Sequence, residues 1–264
     1  MNDDTRLVLD IGNSRVKGGL FRHGHLLRQA TFPARDAAAL AAFLAGHGPA
    51  AVVVGSVAAP DAAFVEALRV IAPVIEVTGE TPYADAGRAG ARRGMRSAYR
   101  TRGTLGVDRW ANAVAASLLF PGRPALAISL GTCVIYDLVS AEGEHLGGLI
   151  SPGFRMRARA MGEFTARLPV VDPPEDPPFI GTSTEECLAS GTHHGLRAEL
   201  AHFIALLRQQ YPGLAVVLTG GDALRFARAL ESGIFAHPFL TLLGLHALSL
   251  PDKLASSPAA AGGH

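Results

Sequence analysis

The sequence is poor in the features that would mark a secreted, membrane or nucleic-acid-binding chain. Cysteine occurs only at Cys133 and Cys187, too few for a disulfide framework or a cysteine metal cluster, and a reducing compartment fits best. The charge is nearly balanced, 24 Lys and Arg against 23 Asp and Glu, so no whole-molecule field draws the chain to nucleic acid or to an acidic membrane, and anion binding has to be local. Met1–Thr5 carries neither the positive charge nor the apolar core of a signal peptide. No run approaches the roughly 18 to 20 apolar residues of a membrane span. The expectation is a soluble cytoplasmic protein with no membrane and no nucleic-acid partner. Two nucleotide-binding signatures are missing as well: there is no GxxxxGK[ST] segment and no GxGxxG after a strand. Phosphate, if bound, is held in another way.

What is present is ample apolar material, 48% hydrophobic against 18% charged residues, enough for a large core in one domain or two. Leu7–Ile11 and Val16–Phe21 read as strands joined by a Gly-Asn bend, a hairpin signal. His25–Phe32 reads as a third strand, Arg35–Ala45 as a helix, Ala51–Val57 as a buried strand, Pro60–Ile71 as a helix and Val74–Val77 as a short strand. Gly79–Thr104 shows no period and reads as a long irregular connection; Gly106–Leu119 is helical.

After Pro121-Gly122 the pattern restarts, with strands over Ala125–Leu130, Val134–Val139 and His145–Ile150. Aligning the two hairpins sets Gly12 against Gly131, Asn13 against Thr132 and Asp10 against Ser129, a period of 119 residues that points to a duplicated domain rather than a solenoid. A helix over about 153–166 follows, then a surface loop with five prolines in Pro169–Pro178. Beyond it come a helix over Ser183–Gln210 with breaks suggested at Gly191 and Gly195, a strand at Ala215–Leu218, and helices over Asp222–Glu231 and Phe239–Leu248. The expected division is 1–119, 120–255 and a frayed tail at 256–264.

The two bends are the candidate phosphate cradle. Glycine lets the backbone approach phosphate oxygens, and successive N–H groups in such a turn make an anion-binding concavity; Asn13, Ser14 and Thr132 add side-chain donors, and Arg15 or Lys17 a positive charge. Either bend alone also does no more than close a hairpin; two in register across a duplication say more. Asp10, where the first strand ends, reads either as a turn cap or as a carboxylate holding Mg²⁺ through water. Asp108 and Arg109 open a helix, which the macrodipole alone would favour; the chemical reading is a carboxylate that takes the proton of an attacking hydroxyl beside a guanidinium that fixes an anionic substrate. Gly220-Gly221-Asp222 is a weaker signal, a permissive turn a nucleotide could approach.

In order along the chain, Asp10-Ile11-Gly12-Asn13-Ser14-Arg15-Val16-Lys17, Tyr99, Gly106-Val107-Asp108-Arg109-Trp110, Leu130-Gly131-Thr132, Gly147–Gly153, Gly181–Thr184 and Thr219–Ala223 resemble the type III pantothenate kinases, of the acetate and sugar kinase, Hsp70 and actin superfamily. The resemblance implies an α/β fold of duplicated actin-like (ribonuclease H-like) domains, mixed sheets flanked by helices with a cleft between the halves. It implies ATP-dependent phosphorylation of pantothenate to 4′-phosphopantothenate, the entry to coenzyme A, by a homodimer. It also implies roles: Asp108 as general base; Asp10, Ile11, Gly12, Asn13, Ser14, Arg15, Val16, Lys17, Gly131 and Thr132 around the ATP phosphates; Tyr99, Gly106, Val107, Asp108, Arg109 and Thr184 around pantothenate; Asp10 toward Mg²⁺. One position departs from the pattern. Ser129 stands where the family has an Asp associated with a monovalent cation, so K⁺ or NH₄⁺ is expected to bind less well or not to be needed. The rival readings are another small-molecule kinase on the same scaffold and a non-catalytic nucleotide-binding regulator or transcription accessory protein.

Overall fold

The computed structural model describes residues 5–12, 15–33, 36–57, 62–84, 94–230 and 233–250. Asn13 and Ser14, two of the expected phosphate contacts, and the tail after Leu250 lie outside them. The strands are β1 Thr5–Ile11, β2 Arg15–Arg22, β3 His25–Pro33, β4 Ala51–Ser56, β5 Val74–Val77, β6 Tyr83–Ala84, β7 Gly94–Ser97, β8 Ala125–Leu130, β9 Cys133–Val139, β10 Glu144–Pro152, β11 Ala215–Thr219 and β12 Ile234–Ala236. The helices are α1 Ala37–Leu44, α2 Ala62–Ile71, α3 Val107–Leu119, α4 Phe154–Glu163, α5 Thr184–Gln210, α6 Ala223–Ala227 and α7 Leu240–Leu248.

The chain forms two compact units. One holds the chain up to Arg96, Arg102–Val114 and everything from Leu242 on; the other holds Ser97–Thr101 and Ala115–Thr241. The linear division at 119/120 differs from this in one main respect: most of α7 returns to the first unit, because Gly19, Gly55 and Phe21 there receive Leu242, Leu245 and His246.

The first unit is built on a sheet ordered β3-β2-β1-β4-β5, and the second on a run ordered β10-β9-β8-β11-β12. In each, three consecutive strands pair antiparallel and the next two add parallel. The two orders are the same order twice, which is the duplication that the aligned hairpins predict.

Alternation sorts the faces of each sheet. Leu7, Leu9, Val16 and Leu20 pack with Phe43 of α1 and Leu68 of α2 in the first core; Val8 and Asp10 point to the opposite face. In the second core Leu126, Ile128 and Leu130 meet Leu196 and Leu200 of α5 and Phe226 of α6, and Ser129 occupies the face opposite, as Asp10 does.

Three local expectations change, and one strand stands where the sequence pattern assigned no element. Gly191 and Gly195 leave α5 unbroken: Leu188, Leu196, Leu200 and Ile204 bury one continuous face, and Ser183 caps Glu186 N while Glu186 reaches back to Thr182 N, a reciprocal cap. The helix expected over Asp222–Glu231 stops at Ala227, since Ala229 N and Leu230 N both turn to Phe226 O and tighten the chain. The irregular stretch Gly79–Thr104 contains β6 and β7, which pair with each other. β12 is too short to show a period, and its parallel pairing with Val216–Leu218 makes it a strand.

Candidate active site

In the first unit, β1 delivers Asp10 to the end of the sheet, directly across from Lys17 of β2 and beside Gly55 of β4. Cross-strand partners share a face, so the carboxylate and the ammonium lie together. Asp108, in the first turn of α3, brings a second carboxylate close enough to act on Asp10. Burial raises the Asp10 pKa from the ordinary 3.8 to about 6, with Lys17 opposing the rise and Asp108 adding to it. Three residues far apart in the sequence thus form one electrostatic cluster.

The start of α3 is held firmly. Trp110 is fully buried, its Nε1 donates to Thr81 O at 2.8 Å, and the Arg102 guanidinium covers its ring. Asp108 Oδ1 accepts the Arg109 amide at 2.9 Å. Gly106 makes room for that carboxylate, because a Cβ there would sit 2.5 Å from Asp108 Oδ1. Val107 and Arg109 are buried beside it.

In the second unit three expected motifs converge on one bend. Gly131 and Thr132 follow β8. Gly153 N donates to Thr132 O at 3.1 Å, and a Cβ at Gly153 would come within 2.3 Å of both the Gly131 and the Thr132 carbonyl oxygens. On the other side Asp222 N donates to Leu130 O at 3.1 Å, and Gly220, with a positive φ of 94°, presses on the same carbonyl. Gly153 and Gly220 are therefore glycines because the backbone of this bend leaves no space for a side chain.

Gly131 is a glycine of another kind. Among the described residues a Cβ there would meet only Cys133 O, at 3.9 Å, so none of their atoms requires the space left open over it. That vacancy fits close approach by a phosphate. One part of the expectation is corrected: the glycine amides themselves are committed, Gly12 N to Arg15 O and Gly131 N to Cys133 O, both at 3.0 Å. Each glycine closes its hairpin with its N–H, so donors to an anion have to come from the neighbouring residues. Thr132 is exposed at the tip, and Arg15 is exposed at the start of β2.

Ser129 pairs in register with Thr219 of β11, whose buried hydroxyl has no partner among the described residues. Two neutral oxygens stand where a carboxylate would complete a cation site, a donor set with less hold on a monovalent ion. For a divalent ion the first unit is better furnished. Mg²⁺ takes one or two carboxylates together with substrate phosphates, and the Asp10 carboxylate, strained by burial and by Asp108, fits that use. Among the described residues no cluster of three or more His, Cys, Asp or Glu forms a self-sufficient metal site.

Tyr99 lies in the second unit against β10, and Thr184 opens α5 on a separate cavity of about 660 Å³ walled by Met161, Leu168, Cys187 and Leu188. That wall includes neither Tyr99 nor the Gly131 bend. A group that sequence reasoning missed stands behind Tyr99: Ser97, Asp137 and His145, joined by hydrogen bonds. No motif marks it, because its members come from three separate strands.

Comparison with known proteins places these features in a family. Residues 6–206 match the family model for type III pantothenate kinase. A type III pantothenate kinase of Phocaeicola vulgatus is 38% identical over 250 residues, 94% of this chain and 99% of that protein. One from Porphyromonas gingivalis is 39% identical over 244 residues, 91% of this chain and 96% of its own. Among solved structures, a Campylobacter jejuni protein named for the Baf transcriptional-activator family superposes with a TM-score of 0.55 at 20% identity, covering 92% of this chain and 96% of that one. At that identity the likeness speaks to the fold alone.

Proposed function

The chain belongs to the type III pantothenate kinase family, and on that premise we propose that it transfers the γ-phosphoryl group of ATP to the primary hydroxyl of pantothenate, yielding 4′-phosphopantothenate and ADP at the first step of coenzyme A biosynthesis. The observation that carries the reading is the meeting of Asp10, Lys17 and Asp108 at the end of β1.

Asp108 is the general base. It accepts the hydroxyl proton while the new P–O bond forms and the bond to the β-phosphate oxygen breaks. A carboxylate of ordinary pKa near 4 cannot ionise an alcohol beforehand. In a loose phosphoryl transition state the proton leaves late, so position matters more than basicity. The Arg109 amide and the space left by Gly106 supply that position. For pantothenate the first unit offers Val107 and Arg109, the Arg109 guanidinium suited to the substrate's carboxylate; the second unit offers Tyr99 and, on a cavity of its own, Thr184. For the ATP phosphates the first unit offers the positive charge of Lys17 and Arg15 with Ile11, Gly12 and Val16 beside them, and the second unit offers the Gly131 and Thr132 bend. Asp10 is the residue that would hold Mg²⁺, which when bound neutralises phosphate charge.

Assembly and location follow as parts of the same proposal. Leu149 and Ile150 on β10 and Met156 on α4 are exposed apolar side chains, a surface suited to a second copy in a homodimer. Both cysteines are free thiols and no helix among the described residues is long and apolar enough to cross a membrane, which suits a cytoplasmic enzyme.

ADP release measured with and without pantothenate tests the function. Turnover should require pantothenate, and Asp108→Asn should reduce kcat by about a hundredfold or more while ATP binding persists. Turnover indifferent to pantothenate would indicate a different acceptor on the same scaffold, and ATP binding without turnover a regulator.

A further inference from the structure

A buried relay in the second unit takes no part in the chemistry described so far. Asp137 of β9 and His145 of β10 are 1% and 0% exposed. His145 Nε2 lies 3.0 Å from Asp137 Oδ1, and its Nδ1 lies 3.0 Å from Ser97 Oγ. The same Oγ accepts the Tyr99 amide at 3.2 Å, and Ala98 N donates to His145 O at 2.8 Å. The Tyr99 ring lies nearly parallel to the imidazole, centroids 6.2 Å apart.

One proton arrangement satisfies the whole chain of contacts. Nε2–H donates to the Asp137 carboxylate, Nδ1 accepts the Ser97 hydroxyl proton, and Ser97 Oγ accepts from Tyr99 N–H. The backbone is shaped to permit it. The β9–β10 register slips between His145 and Gly147, a bulge that turns the imidazole inward. Gly147 takes a positive φ of 102°, and a Cβ on it would stand 3.9 Å from the Tyr99 ring. Stability does not call for such a group, since a buried ionisable pair is often replaced by apolar residues at no loss. What the relay does hold in place is the backbone and ring of Tyr99.

We infer that Asp137, His145 and Ser97 are positioning residues for the acceptor substrate: they lock the 97–101 segment onto β10 so that Tyr99 presents a fixed wall to pantothenate, and they set KM for pantothenate rather than the rate of phosphoryl transfer. The inference rests on the assignment of Tyr99 to the pantothenate site.

The test uses the full-length enzyme and four variants: Ser97→Ala, Ser97→Thr, Tyr99→Ala and the Ser97→Ala, Tyr99→Ala double variant. Ser97→Ala removes both the contact with His145 and the bond to the Tyr99 amide; loss of the latter should raise KM for pantothenate about tenfold, with kcat and KM for ATP within about twofold of the parent. Ser97→Thr, which keeps the hydroxyl, should restore KM. Hydrogen exchange at 97–101 should quicken in Ser97→Ala and not in Ser97→Thr. In the Tyr99→Ala background the Ser97→Ala effect should vanish, because both act through one ring. An unchanged pantothenate KM in Ser97→Ala, or a fall in kcat instead, overturns the positioning role. Multiplying effects in the double variant overturn it also. A parent enzyme that saturates with pantothenate while Tyr99→Ala leaves KM alone removes the premise about Tyr99. A parent with no pantothenate dependence removes the proposed function itself.

Discussion

The two units are the same piece of backbone put to different chemical use. Both carry the same strand order, and in both a glycine ends the first strand and closes the hairpin with its N–H. The side chains around that bend differ. In the first unit Asp10 faces Lys17 across the hairpin and Gly55 across the parallel pair. At the corresponding place in the second, Ser129 faces Ile135 and Thr219. One bend carries charge at this place, and the other carries none and is braced by Gly153 and Gly220 on either side. A duplicated fold keeps what the hydrogen-bond ladder requires and leaves free the next-to-last residue of the strand, on the face opposite the helix-covered core. That residue is where the two halves differ most in chemistry.

The sharpest way to break this comparison lies in the second bend, which contains glycines of both kinds. Gly153→Ala drives a methyl into two carbonyl oxygens, and rigid backbone cannot yield as a side-chain tip would. It should cost about 3 kcal/mol or more, read as a drop in the urea midpoint. Gly131→Ala meets nothing closer than 3.9 Å, so its midpoint should hold while KM for ATP rises about tenfold, the methyl now standing where phosphate would come. If Gly131→Ala unfolds the chain, its glycine is structural. If it leaves KM for ATP unchanged, the bend is not a phosphate seat.

Next in size is the charge of the first bend. The folded pKa of Asp10 is raised, so the folded state binds a proton between 3.8 and about 6 that the unfolded chain does not. The stability owed to this group is therefore greatest in acid and declines as pH rises through about 6. Asp10→Asn should make the ligand-free protein more stable than the parent above that range, by up to about 3 kcal/mol, with the difference fading toward pH 4 even as catalysis is lost. Ser129→Ala, the same position in the other unit, should show no such pH-dependent difference. Urea unfolding of both variants between pH 4 and 8 checks the contrast, and a parallel pH response in the two would mean the bends are not electrostatically distinct.

Much of this architecture was readable from the chain because hairpins and apolar alternation are local. The aligned bends put Asp10 against Ser129, and the strand registers agree. Yet Ile11 pairs with Val16 whereas Leu130 pairs with Val134, so the second bend is a residue tighter, a detail that a glycine alignment cannot reveal. What sequence could not show depends on contacts between distant segments. The return of α7 is set by Leu242 and Leu245 filling the room above Gly19 and Gly55. β12 owes its conformation to Val216–Leu218. The commitment of both glycine amides is a matter of turn geometry, and the Ser97–His145–Asp137 relay joins three strands through residues with no spacing in common. The candidate site was legible where one motif supplies one side chain; it was not legible where neighbours decide which donors remain for a ligand.

The smallest effect concerns the charge the second bend lacks. Ser129 and the unpartnered Thr219 hydroxyl offer a cation two neutral oxygens, and we propose that monovalent ions therefore influence this enzyme weakly. Ser129→Asp would give the second unit the counterpart of Asp10. A carboxylate next to that hydroxyl supplies both the charge and the oxygen that K⁺ coordination needs, so turnover of the variant should rise a few-fold with KCl and not with choline chloride, while the parent responds to neither by more than about a third. A parent strongly dependent on K⁺ would show that neutral oxygens suffice there, and that the two bends differ less in their ion chemistry than in their sequence.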